Sequence, residues 1–309
     1  MFPLALAALG GCNDYGLADR DETVTAELRV SERFEQSALR AVDILFVVDA
    51  TGSMEEEQAA LAAAAGAFVT ALDAAGLSWQ LGVVSMDLAD AGALLGRPWV
   101  LAPGQDAAAE VFAANLLVGT DAPPPSAGLD AAVMAIRDES GANLGFRRPD
   151  AALHVVFVSD GDDESGALLG DDPTSAFLAV LADEATRTGR ATTASAVVGD
   201  VPAGCRGPGG TALPGARFVN VATRANGVVA SVCDADLAPV AESLVSASSE
   251  YPTRFALQDT PAPGSVRVWV DDVRLDDGWE VDAATIVFDP APADGATIDV
   301  SYVVRAEGA

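Results

Sequence analysis

Asp49, Thr51 and Ser53 stand two apart across Ala50 and Gly52, in the stretch V-D-I-L-F-V-V-D-A-T-G-S-M over 42–54. A carboxylate and two hydroxyls at this spacing offer hard oxygen ligands, suited to Mg²⁺, Mn²⁺ or Ca²⁺ and poorly suited to zinc or copper. The same residue types cap helices and close turns, and helix-forming sequence begins at Met54. On these three residues alone, ligation and capping are both open.

The elements around them bear on the choice. Residues 44–48 form a continuous apolar run, the pattern of a central parallel strand covered on both faces. Asp49 closes the run, and ligands of open α/β sheets bind at the carboxyl ends of strands. A second buried run over 154–159 ends in Asp160, within V-V-F-V-S-D-G-D-D. Between and after these runs the periodicity alternates. It predicts helices over 55–75 (ended by Gly76), 106–117, 127–137, 173–188 and 237–247, and strands over 81–86 and 191–198. Residues 218–232 read as one more helix and strand, 97–101 as an antiparallel edge strand, and 204–215 as loop. The expected fold is α/β, a doubly wound, mostly parallel, Rossmann-like sheet. After Tyr251 the period becomes two, with Asp, Gly and Pro turns, which predicts a small antiparallel β module.

The stretch I-L-F-V-V-D-A-T-G-S-M resembles the opening strand and metal-ion-dependent adhesion site (MIDAS) of a von Willebrand factor A (VWFA) domain, with Thr51 where that family more often has serine. The resemblance implies a threonine ligand from a second loop and an aspartate at the end of a later core strand. Asp160 fits the aspartate. L-L-V-G-T-D-A-P-P-P-S-A-G-L offers Thr120 and Ser126 for the hydroxyl, and Thr120, directly after Gly119, matches the family pattern better. The ligand set implied is thus Asp49, Thr51, Ser53, Thr120 and Asp160 around Mg²⁺, or Mn²⁺ or Ca²⁺. Its partner would be a protein presenting an Asp or Glu carboxylate to the ion. G-S-V-R-V-W-V-D and D-G-W-E-V-D are similar to a β extension that follows A domains in some bacterial surface lipoproteins.

Composition narrows the alternatives. The formal charge is −29, and all 17 basic residues are arginine. Nucleic acid is an unfavourable partner, because affinity for it comes largely from neutralising phosphates. Residues 1–12 resemble a bacterial lipoprotein signal ending in a lipobox at Cys12, although no basic residue precedes the apolar run and the run is short. The run is also too short for a transmembrane helix, which needs about 20 apolar residues. The expected organisation is signal over 1–12, a tether with a possible edge strand over 13–41, the VWFA domain over 42–249 and the β module over 250–309. Cys12 would carry lipid and hold the chain on an envelope membrane. Absence of aspartate directly after Cys12 favours the outer membrane by the sorting pattern of such lipoproteins. In that oxidising setting Cys205 and Cys233 are expected to form a disulfide, contributing roughly 3.5 kcal/mol by chain entropy.

These features favour a non-enzymatic binding protein. The alternatives are a phosphatase-like hydrolase using Asp49 as nucleophile, or a scaffold in an envelope complex. Thr51 stands where such phosphatases carry a second aspartate. There is no lysine for a phosphate loop and no G-x-S-x-G elbow. The single histidine, His154, falls inside a predicted core strand, as a structural residue.

Overall fold

A computed structural model describes residues 27–36, 41–249, 253–293 and 295–305. The chain opens with strand β1 (Glu27–Glu35), then β2 (Ala41–Val48), helix α1 (Glu55–Ala74) and β3 (Ser78–Ser85). Helices α2 (Ala108–Leu116) and α3 (Gly128–Arg137) lead to β4 (Ala152–Ser159), α4 (Pro173–Thr188) and β5 (Thr192–Val198). Strands β6 (Cys205–Gly207) and β7 (Gly210–Ala212) form a hairpin, followed by α5 (Ala216–Arg224), β8 (Val229–Ser231) and α6 (Ala238–Ser249).

Strands β3-β2-β4-β5-β8 form one sheet, parallel throughout. β2 lies inside it, and its apolar run is explained by burial on both faces. Ile44, Phe46 and Val48 join a core under α1, α2 and α6, while Leu45 and Val47 join the opposite core under α3, α4 and α5. The rings of Phe46, Phe68 and Phe112 meet at 5.1 to 5.7 Å in the first core, a spacing that aromatic pairs favour. α1 ends as expected at Gly76, whose φ of +67° suits glycine.

Three polar groups are buried for structural reasons. Asp43, near the amino end of β2, pairs with Arg147 and Arg148 at 2.7 Å each. Asp130 accepts four backbone amides, from Gly166, Ala167, Leu168 and Leu169. His154 lies near the start of β4 between the hydroxyls of Ser195 and Ser248, and burial pushes its pKa down to about 3.

Two expectations are corrected. Residues 97–101 form no edge strand: their contact with β3 is a single antiparallel bridge between Leu81 and Leu101. Pro98 lacks the N–H that a continued ladder requires. Residues 204–215 are not all loop, because the β6–β7 hairpin sits there. The Cys205–Cys233 disulfide fastens it, with a Cα–Cα distance of 6.1 Å.

The remaining strands are β9 (Arg254–Ala256), β10 (Arg267–Val270), β11 (Val273–Leu275), β12 (Trp279–Asp282), β13 (Thr285–Phe288) and β14 (Thr297–Arg305). They form antiparallel sheets in the orders β1-β14-β10-β11 and β12-β13-β9, over a core that includes Phe255, Val268, Ile286, Ile298 and Tyr302. The first strand of the chain thus pairs with the last, from Glu27↔Arg305 to Glu35↔Thr297. The β module takes residues from both sides of the parallel-sheet domain. Cys12, the expected signal and Tyr251 lie outside the described residues. Among the described residues no helix is long and apolar enough to cross a membrane.

Candidate metal centre

β2 and β4 are neighbours at the point where the chain, having added β3 on one side of β2, crosses to build the other side. This is the topological switch point of the sheet, where a crevice opens beyond the strand ends. The ladder between the two strands continues past them, with the Asp49 amide donating to the Val158 carbonyl at 2.9 Å. Asp49 and Asp160 therefore emerge side by side. They are 1% and 8% exposed.

The first loop is held by its own backbone. Asp49 Oδ1 accepts the Thr51 amide at 2.8 Å, an Asx turn that sends Thr51, Gly52 and Ser53 over the strand end. Asp49 Oδ2 accepts the Ser159 hydroxyl at 2.7 Å. Met54, buried beneath, takes the Asp160 amide on its sulfur at 3.1 Å. The Ser53 side chain hydrogen-bonds the Asp160 carboxyl. Burial raises the pKa of Asp160; that bond opposes the shift, and the nearby charge of Asp49 adds to it.

The second loop is fastened to the first. Gln58 Nε2, on α1, donates to the carbonyls of Asp49 and Gly119 at 2.8 and 2.7 Å. The Ala122 amide donates to the Ala50 carbonyl at 3.0 Å, and the Thr120 carbonyl lies against Gly52. Thr120 is thus brought beside Thr51 and Ser53. Ser126 is engaged elsewhere: its hydroxyl meets the Met86 sulfur and its amide donates to Glu164.

A third loop closes the site from the side of the disulfide. The Leu213 amide, just past β7, donates to the Asp160 carbonyl at 2.7 Å. Gly210 on β7 faces Glu57 of α1, a carboxylate only 1% exposed. Burial raises the Glu57 pKa, and the charge of Asp160 adds to the shift.

The donor set suits a hard divalent cation. It brings together two carboxylates and up to three hydroxyls, with no thiol and no imidazole. Neither Asp49 nor Asp160 has an ion-pair partner among the described residues. The other buried aspartates are compensated: Asp43 by two arginines, Asp163 by Arg217 at 3.7 Å, and Asp130 by four amides. Among the described residues no three His, Cys, Asp or Glu side chains cluster as a metal site, so any ion here depends on hydroxyl oxygens. Ser159, Gln58, Glu57 and the β6–β7 hairpin are the parts of the site that sequence reasoning missed. Polar residues at 57 and 58 on the buried face of α1 are the signal that could have revealed two of them.

No protein-family model and no curated protein sequence matches this chain. Among solved structures, the chain is similar to a von Willebrand factor type A protein from Catenulispora acidiphila, at 14% identity and a TM-score of 0.46, over 93% of this chain and 62% of that one. It is similar to the pilus adhesin SpaC from Lactobacillus rhamnosus GG, at 14% identity and a TM-score of 0.41, over 93% of this chain and 42% of that one. It is also similar to proximal thread matrix protein 1 from the mussel byssus, solved with a zinc-occupied MIDAS motif. That match has 15% identity and a TM-score of 0.40, over 70% of this chain and 47% of that one. The chain spans less than two thirds of the length of each of these proteins. Likenesses this distant carry no argument about what this chain binds.

Proposed function

We propose that this chain is a VWFA-type binding protein, not an enzyme. Its ligands Asp49, Thr51, Ser53, Thr120 and Asp160 hold a divalent cation, Mg²⁺ or else Mn²⁺ or Ca²⁺, that captures an Asp or Glu carboxylate of a partner protein. Cys12 anchors it by lipid to a bacterial envelope membrane, the outer membrane by the sorting pattern of such lipoproteins. One observation carries the cation: two adjacent carboxylates are buried at the switch point with no arginine opposite them, in a chain that compensates its other buried aspartates. Burying like charges together is costly unless a counter-charge is supplied. An ion bound here supplies it, and an open coordination position on that ion accepts a partner oxygen.

This chain's own residues do the positioning. Asp49 is aimed by the Thr51 amide and the Ser159 hydroxyl. Gln58 ties the first two loops together, and Leu213 fixes the backbone of Asp160. The hydrolase alternative gains nothing from this arrangement. His154 is buried near the opposite end of β4 from Asp160, and Thr51 points no second carboxylate at the centre.

Thermal unfolding of the EDTA-stripped protein with and without Mg²⁺ tests the reading. At about one hundred times its dissociation constant, the ion should stabilise the wild type by about 2.7 kcal/mol. The Asp49→Ala protein should show none of this. An equal gain in both would sink the proposal. Partner capture after mild crosslinking should vanish in EDTA, return with Mg²⁺ or Mn²⁺, and fail when the partner's acidic residue is changed to its amide.

A further inference from the structure

Glu57 sits in the first turn of α1, and among the described residues it is the only carboxylate with a fully buried oxygen, Oε2, that has no hydrogen-bond partner. An unsatisfied carboxylate oxygen in a buried position costs free energy unless something in the working protein meets it. The surroundings hold Glu57 in place. The hairpin strand that faces Glu57 through Gly210 leads to Leu213, whose amide donates to the Asp160 carbonyl at 2.7 Å, and the charge of Asp160 acts on Glu57. Gly210 makes the room, since a Cβ there would stand 1.9 Å from Oε1. The Cys205–Cys233 disulfide fastens the hairpin that carries Gly210 and Thr211.

From this placement we infer that Glu57, outside the ligand set, acts on the ion through a bound water. The inference rests on the cation reading above. A Mg²⁺ ion held by carboxylates keeps several of its waters, and a water on the ion is a hydrogen-bond donor, which is what Oε2 lacks. Carboxylates that orient such waters from outside the ligand set commonly govern ion affinity by about 10- to 100-fold. The negative charge that Glu57 adds also opposes the partner's carboxylate. Glu57 therefore favours retention of the ion over tight capture.

The test is calorimetric titration of Mg²⁺, and separately Mn²⁺, into the EDTA-stripped full chain. Glu57→Gln keeps the shape and removes the charge. It should lower affinity for both ions by about 10- to 100-fold, while unfolding in EDTA shows the variant at least as stable as the wild type. Wild-type affinity in Glu57→Gln would overturn the inference and leave the cation centre standing. Absence of binding by the wild type would instead remove the cation reading together with the inference. If Glu57→Gln does not fold, Glu57→Ala carries the test, and unchanged affinity there overturns the inference.

Discussion

The Ser159 hydroxyl donates to Asp49 Oδ2 at 2.7 Å, joining the last residue of β4 to the carboxylate that follows β2. With the Thr51 amide on Oδ1, it fixes the rotation of the Asp49 carboxyl group. Ser159 is not one of the proposed ligands, so its effect comes from aiming one of them. Ser159→Ala should weaken cation binding by about 10- to 100-fold. The check is Mn²⁺ titration followed by electron paramagnetic resonance of the free ion. An unchanged dissociation constant would show that Asp49 needs no such support.

Asp43 and Asp49 stand at opposite ends of β2 and are both buried, yet they should fail differently when replaced. Asp43→Ala leaves Arg148 without its counter-ion and Arg147 with Glu184 alone, and removing one partner of a buried pair costs roughly 3 to 5 kcal/mol. Denaturant unfolding should register that loss. The folded fraction should still bind cation like the wild type.

His154 gives the protein a defined weakness to acid. Its pKa is about 3 in the folded chain, against an unfolded value near 6.5. Between these two values the unfolded state takes up a proton that the folded state does not. Stability contributed by the neutral ring is complete above about pH 6.5 and falls by about 1.4 kcal/mol per pH unit below it. In His154→Phe this part of the slope should be missing when unfolding is measured from about pH 6 to pH 4. An identical slope in both proteins would mean that His154 titrates normally.

Much of the parallel-sheet domain was legible because its signals are local. The run at 44–48 announces a doubly buried strand, and Asp49 and Asp160 each follow such a run directly. The parts that escaped depend on distance or brevity. β6 and β7 are three residues each, too short for alternation to show, and the glycines and prolines in and around them read as loop. β1 shows alternation, but its partner β14 lies at the other end of the chain, and nothing local encodes that pairing. Glu57 and Gln58 fall on the buried face of α1 with Leu61, Ala65, Phe68 and Leu72. Two polar residues on an apolar stripe mark a place where the helix meets something other than core. At residues 97–101 apolar content suggested a strand, and Pro98 prevented one.

The central claim is that Asp49 and Asp160 share a divalent cation, and titration of Mg²⁺ into the EDTA-stripped chain by calorimetry tests it most directly. The account predicts saturable binding of one ion per chain. Asp49→Ala and Asp160→Ala should each weaken that binding by more than about 100-fold, beyond what residues outside the ligand set produce. The Thr51→Ala and Thr120→Ala proteins should lose less, because each gives up a neutral oxygen rather than a charge. Wild-type protein that takes up no ion, or an Asp49→Ala, Asp160→Ala double variant that binds as tightly as the wild type, would contradict it.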